Sequence, residues 1–192
     1  MTLTNFGLHI TKKMDYIKLL RKYFPDEDKF QIIYQHSLQV KDKALELAKN
    51  VPELNLDLKF IEEAAMLHDI GVSVTKNEDI GGSGTESYIK HGVAGREILE
   101  KEGFPKHALV CERHIGTGLT VKDIQDQKLD VPSRDMSPQS NEEIVISFAD
   151  NFFSKTVQGE ISLEKIKQKL VGFGTHKPLI IDSWTKKFKL KH

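Results

Sequence analysis

Apolar residues recur every three or four positions along most of this 192-residue chain, whereas the two-residue alternation typical of β-strands is nearly absent. Glycine and proline residues separate the periodic segments. The sequence therefore predicts an all-α fold, a helical bundle of about seven or eight helices. The expected helices cover residues 12–24, 26–50, 58–69, 90–102, 104–115, 142–157, 162–171 and 177–189, with one further short turn after Thr120.

The chain length suits one domain with a sizeable core. We expect a single helical domain over residues 1–192, in which the helices of residues 160–192 pack on a core formed by about residues 30–157. Asp57, Asn141 and Ser162 are expected to cap the helices that follow them. Gly71 suits the end of the helix over 58–69.

The charge balance and the cysteine content limit the class of protein. Lys plus Arg and Asp plus Glu each number 28, so the neutral chain lacks the basic character of a protein that coats nucleic acid. The single cysteine, Cys111, fits a reducing compartment. We find neither a signal-peptide pattern nor a run of 18 apolar residues, so we expect a cytoplasmic protein with no membrane partner. The sequence leaves homo-oligomerisation open.

Histidine and aspartate occur at positions that should face the core. His36 lies three residues after Ile33 and four before Val40, and His68 and Asp150 lie on similarly apolar helix faces. Burying such groups without a partner costs several kcal/mol. One bound cation would satisfy them together.

Imidazole and carboxylate groups together suit divalent transition metals such as Fe, Mn, Co, Ni or Zn. His68 and Asp69 are neighbours, so both can reach one ion only where the backbone turns, and a carboxylate can bridge two ions. We therefore predict two metal ions. The first set is His36, His68, Asp69 and Asp150, and the second is His91, His114 and the other oxygen of Asp69.

These residues resemble the HD superfamily of metal-dependent phosphohydrolases, of which the sequence His68-Asp69-Ile70-Gly71 is the HDIG variant. The resemblance covers about residues 30–157. With His91 and His114 present, the chain is similar to the two-metal branch, which includes bacterial HD-type diadenosine tetraphosphate hydrolases. The five motif parts appear in order: His36 in YQHSLQV, His68-Asp69 in AAMLHDIG, His91 in KHGVAG, His114 in ERHIGTG and Asp150 in SFADNF.

The resemblance implies a phosphohydrolase with Asp69 and His68 as catalytic residues. It would cleave a phosphoester or phosphoanhydride of a small nucleotide or phosphorylated metabolite through a metal-activated hydroxide. Beside the proposed ligand His114, Arg113 and Thr117 are candidates for substrate binding, and Arg134 lies in a loop able to cover the site.

Two alternatives remain at the sequence level. Many HD relatives carry Lys or Arg soon after HDIG, whereas here residues 72–75 are Val-Ser-Val-Thr. This departure motivates a regulatory HD module that binds metal or nucleotide without turnover. A di-iron oxygenase is the other alternative, since a few HD proteins use a di-iron site in that way.

Overall fold

The computed structural model describes residues 14–190, and this part of the chain contains nine α-helices and only isolated β-bridges. The predicted all-α fold is therefore confirmed; the first two residues of the helix expected over 12–24 lie outside the described residues. The helices are α1 (Tyr16–Tyr23), α2 (Glu27–Lys49), α3 (Leu58–Leu67), α4 (His91–Lys101), α5 (Pro105–Arg113), α6 (Val121–Asp126), α7 (Asn141–Asp150), α8 (Leu163–Val171) and α9 (Lys177–Lys187).

The count exceeds the expected seven or eight because the short turn after Thr120 is a defined helix, α6. Thr120 and Asp123 form a capping box, in which each side chain accepts a hydrogen bond from the backbone of the other residue. The Asp123 carboxylate also accepts a hydrogen bond from the buried ammonium of Lys177, at 2.6 Å. This ion pair attaches α6 to α9.

Helix termini follow the sequence signals with three exceptions. Asp57 and Ser162 cap α3 and α8 as predicted, but Ser140 caps α7 in place of Asn141, since its hydroxyl accepts the Glu143 N–H. Helix α7 ends at Asp150 and not near residue 157. Gly71 does not provide a left-handed helix end, because α3 stops at Leu67 and a 3₁₀ segment, Ile70–Val74, follows.

The buried side chains form two large apolar clusters that meet along α2. One cluster joins α2 to α3, α5, α7, α8 and α9, so the two C-terminal helices pack on the same core as the motif helices. The other joins α2 to α1, α3, α4 and α5. Ile33 belongs to the second cluster and Val40 to the first, so His36 lies on the buried face of α2 between them.

Small residues allow α4 to approach the end of α3 closely. A Cβ atom on Gly71 would lie 2.0 Å from the His91 carbonyl oxygen and 2.3 Å from the Gly95 nitrogen. A Cβ on Gly95 of α4 would in turn lie 2.9 Å from the Cys111 Cβ of α5 and 3.3 Å from the Gly71 nitrogen. The absence of a side chain at Gly71 therefore allows α4 to pack closely against the HDIG segment, and this packing brings His91 next to it.

None of the helices in residues 14–190 combines the length and the hydropathy that a bilayer span requires.

Candidate metal centre

Four side chains from three helices and the following turn converge in the first predicted ligand set. His36 lies in the middle of α2, His68 directly follows α3, and Asp150 is the last residue of α7. His36 Nε2 lies 3.0 Å from Asp150 Oδ1 and 3.2 Å from Asp69 Oδ2. His68 Nε2 lies 3.1 Å from Asp69 Oδ2 and 3.4 Å from Asp150 Oδ1.

The second predicted set forms on the other oxygen of Asp69. His91 Nε2 and His114 Nε2 lie 3.6 Å and 3.7 Å from Asp69 Oδ1, and 3.1 Å from each other. Within each set the potential ligand atoms all lie within 4.8 Å of one another. The structure thus groups the six residues as the sequence predicted, with Asp69 shared between the sets; that they bind metal stays a prediction.

Backbone carbonyl groups fix the orientation of three of the four imidazole rings. The Nδ1 atoms of His68, His91 and His114 lie 2.7–2.8 Å from the carbonyl oxygens of Ala65, Tyr88 and Cys111, each three residues earlier. A carbonyl oxygen only accepts, so Nδ1 of each ring carries a proton, and Nε2 points to the cluster, where it offers a lone pair whenever the ring is neutral. This second contact is the usual way in which proteins orient a metal-binding histidine.

The arrangement of lone pairs fits a bound cation. His91 Nε2 and His114 Nε2 face each other at 3.1 Å with both Nδ1 atoms already donating. Among the described residues, His68 Nε2 and Asp69 Oδ1 are buried without a hydrogen-bond partner. Buried acceptors that face one another are unfavourable unless a proton or a metal lies between them. Nitrogen and carboxylate ligands are those that borderline divalent metals prefer.

A lysine that the sequence did not indicate completes the cluster. Lys155 Nζ lies 2.6 Å from Asp69 Oδ2, and its side chain is only 9% exposed. A helix continued to residue 157 would have turned Lys155 away from Asp150. Instead, Asn151 ends α7, with its amide donating to the carbonyl groups of Gly116 and Ser147, and the chain turns back. The only sequence signal was the Asn-Phe-Phe-Ser segment, whose polar residues favour a helix end.

In the protein without metal, these contacts move the pKa values in opposite directions. Burial alone would lower the pKa of His68, but Asp69 and Asp150 raise it to about 10. Burial lowers the pKa of His114 to about 3, and the nearby His68 and His91 add to the effect. Although burial opposes it, Lys155 and His68 hold the pKa of Asp69 well below its usual range. At neutral pH His68 is therefore a cation with a second proton on Nε2, whereas His114 is neutral with a proton on Nδ1 alone.

We expect Mn²⁺ binding at pH 7 to displace about one proton from His68, because a metal ligand must give up its proton. Affinity for the ion should rise with pH until the pKa of His68, about 10, is reached. Isothermal titration calorimetry in two buffers of different ionisation enthalpy measures the release. The exposed His176 provides a control, since His176→Gln should leave the release unchanged. An observed heat that is the same in both buffers would contradict the protonation of His68.

A cavity of about 440 Å³ opens onto the cluster. His36, His91, His114 and Asp150 line it directly, together with Lys155. The rest of the lining is largely apolar and includes a wall formed by Ile80, Ile89, Ile115, Leu119, Leu129, Phe153, Leu170 and Phe173.

The three residues predicted to bind substrate occupy different environments. Thr117 lines the cavity, and its hydroxyl is buried without a hydrogen-bond partner among the described residues. Arg113 pairs with Glu143 at 3.0 Å, and Arg134 pairs with the buried Glu112; neither lines the cavity. Of the three, the structure brings only Thr117 to the cavity.

Sequence comparison finds relatives over most of the chain. The HD domain family matches residues 33–154. An uncharacterized protein of Methanocaldococcus jannaschii is 34% identical over 72% of this chain and 77% of its own length. A protein of Picrophilus torridus named tRNA (cytidine(56)-2'-O)-methyltransferase is 33% identical over 73% of the chain, and one of the same name from Thermoplasma volcanium is 30% identical over 72%. The match spans only 40% and 35% of the lengths of these two proteins.

Solved structures with a similar fold include the HD domain of the L. monocytogenes phosphodiesterase PgpH, with a TM-score of 0.54 and 18% identity over 90% of this chain and 87% of that domain. The same domain in complex with cyclic-di-AMP also has a TM-score of 0.54, with 19% identity over 91% of this chain and 87% of the domain. At this level of identity the likeness concerns the fold.

Proposed function

The chain belongs to the HD domain family, and from this membership we propose that it is a metal-dependent phosphohydrolase acting on a small nucleotide or other phosphorylated metabolite. The observation that carries the proposal is the sharing of Asp69 between two ligand sets that open onto one cavity. Two adjacent divalent ions suit displacement at phosphorus. In the proposed reaction, the oxygen of water forms a bond to phosphorus while the P–O bond to the leaving group breaks, and the leaving oxygen takes up a proton.

The residues of the chain would hold and orient the reacting groups. The two oxygens of Asp69 face different ligand sets, so this one carboxylate would fix the spacing of the ions. Backbone contacts hold the rings of His68, His91 and His114 with Nε2 facing the cluster, so each could bind metal without reorienting, His68 after losing its Nε2 proton. When bound, the metals would supply an activated water and neutralise charge on the phosphoryl oxygens.

The cavity supports a nucleotide-like substrate. Its volume of about 440 Å³ lies within the range of small-molecule sites. A phosphoryl group at the metal end would place an organic moiety against the apolar wall that includes Ile89, Leu119 and Phe153. The complex of the PgpH HD domain with cyclic-di-AMP is consistent with this assignment. We do not propose methyl transfer, because the chain spans at most 40% of the relatives named for it.

A substrate panel tests the proposal. Protein loaded with Mn²⁺, Fe²⁺ or Co²⁺ is incubated with cyclic dinucleotides, dinucleoside polyphosphates, mononucleotides and sugar phosphates, and products are separated by chromatography. We expect metal-dependent hydrolysis of at least one nucleotide, abolished by a chelator and restored by metal. Tight nucleotide binding without turnover under all three metals would contradict the proposal and favour a regulatory module. Oxygen consumption by the anaerobically reduced protein would favour an oxygenase.

A further inference from the structure

Lys155 lies at the boundary between the metal centre and the cavity. Its ammonium contacts Asp69 Oδ2 at 2.6 Å and donates to the Tyr88 hydroxyl at 3.1 Å, and its side chain lines the cavity. The Tyr88 ring stacks on the His91 ring with centroids 4.5 Å apart. The lysine is therefore positioned by residues of both the centre and its surroundings.

In the described part of the chain, two other lysines line the cavity, and neither contacts the metal-ligand sets. Lys177, which also lines the cavity, donates to Asp123 and to the Gly118 carbonyl. Lys169 is exposed on α8. Of the three lysines lining the cavity in residues 14–190, only Lys155 contacts a residue of the ligand sets.

Metal binding would change the charge around Lys155. Without metal, Asp69 and Asp150 carry two negative charges, and Lys155 balances one of them. Once Asp69 binds divalent ions, those ions neutralise its negative charge. The Lys155 ammonium then has no carboxylate left to balance its positive charge. A buried ammonium without an anion is unfavourable. Lys155 then needs a new anionic partner. Since its side chain lines the cavity, an anionic ligand can reach it from there.

We propose that Lys155 is the phosphate-binding residue of this centre, held by Asp69 in the protein without metal and transferred to a phosphoryl oxygen when metal and substrate are bound. The inference rests on the proposed function and names a residue for its substrate contact. Residues 72–75, directly after HDIG, include no basic residue, and the lysine at the centre comes instead from the segment after α7.

The two roles of Lys155 predict effects of opposite sign in one variant. Lys155→Met removes a phosphate partner, so inorganic phosphate should bind the Mn²⁺-loaded protein about tenfold more weakly. The same change removes a cation that competes for Asp69, so Mn²⁺ should bind equally or more tightly. Both affinities are measured by calorimetry, with Lys155→Gln as a second neutral variant and circular dichroism to check folding. Lys186→Met, an exposed lysine of α9, makes the same change in net charge and should alter neither affinity.

Each outcome of this experiment decides the inference. Weaker phosphate binding with retained Mn²⁺ affinity supports it. Unchanged phosphate binding, a parallel loss of both affinities, or unfolding of both neutral variants would overturn it, because Lys155 would then be idle or purely structural. Phosphate binding requires no turnover, so a protein that binds phosphate through Lys155 but hydrolyses nothing would refute the proposed function and leave this inference intact.

Discussion

Replacing Asp69 with alanine should remove both metal ions and reduce hydrolysis on the order of 10⁴-fold or more. Asp69 is the one residue common to both ligand sets, and each of its oxygens faces a different set. The variant would leave the facing lone pairs of His91 and His114 with no bridging carboxylate. Inductively coupled plasma mass spectrometry of the purified variant measures the metal, and the best substrate from the panel measures the rate.

Two further variants sharpen this experiment. Asp150 belongs only to the first set, so Asp150→Ala should lose one ion and keep part of the second. Asp42 is an exposed carboxylate on the same helix as His36, and Asp42→Ala should retain wild-type metal content and rate. Turnover that survives in Asp69→Ala, or a wild-type metal content in that variant, would refute the shared-carboxylate centre.

Alanine at position 71 should destabilise the fold by about 3 kcal/mol or more, at the upper end for added core volume. Its Cβ would approach the His91 carbonyl oxygen to 2.0 Å and the Gly95 nitrogen to 2.3 Å. Both obstacles are backbone atoms, which no side-chain rotation can move. Helix α4 would have to shift, and His91 with it, so metal content should fall along with stability. Urea unfolding followed by circular dichroism gives the change in the free energy of unfolding.

Gly172 provides the matched control for this substitution. It has an ordinary φ of −63°, and the nearest atom to an added Cβ is the Lys169 carbonyl oxygen at 3.5 Å. Gly172→Ala should therefore change stability by no more than about 0.5 kcal/mol. If Gly71→Ala were as stable as this control, the close approach of α4 to the HDIG segment would be wrong.

Helical periodicity carried most of the information about the fold. The α2 stripe placed Ile33, His36 and Val40 on one face, and all three are buried. The helix boundaries that differ from the prediction depend on individual hydrogen bonds, which the periodicity of apolar residues does not reveal. Helix α7 ends at Asp150 because Asn151 satisfies carbonyl groups of Ser147 and of the distant Gly116. That second contact exists only in the folded chain.

The residues of the candidate site were likewise predictable from the sequence only in part. Histidine and aspartate on apolar helix faces indicated a cation, and the ability of the Asp69 carboxylate to bridge two ions predicted two sets that the structure also groups. Lys155 had no such signal, because a lysine among polar residues after a helix is usually solvent-exposed. Arg113 and Arg134 are the opposite case, because the sequence indicated a substrate contact and the structure places both outside the cavity lining. Arg113 directly precedes His114 and Arg134 lies in a loop able to cover the site, which suggested substrate binding, but the carboxylates of Glu143 and Glu112 engage them.

A crystal structure of the protein grown with Mn²⁺, with anomalous scattering data collected near the Mn absorption edge, tests the two-metal centre most directly. We expect two anomalous peaks on opposite sides of the Asp69 carboxylate, one contacted by His36, His68 and Asp150 and the other by His91 and His114. No peak among these six residues, or a single peak that leaves Asp69 bonded only to Lys155 and the histidine rings, would contradict it.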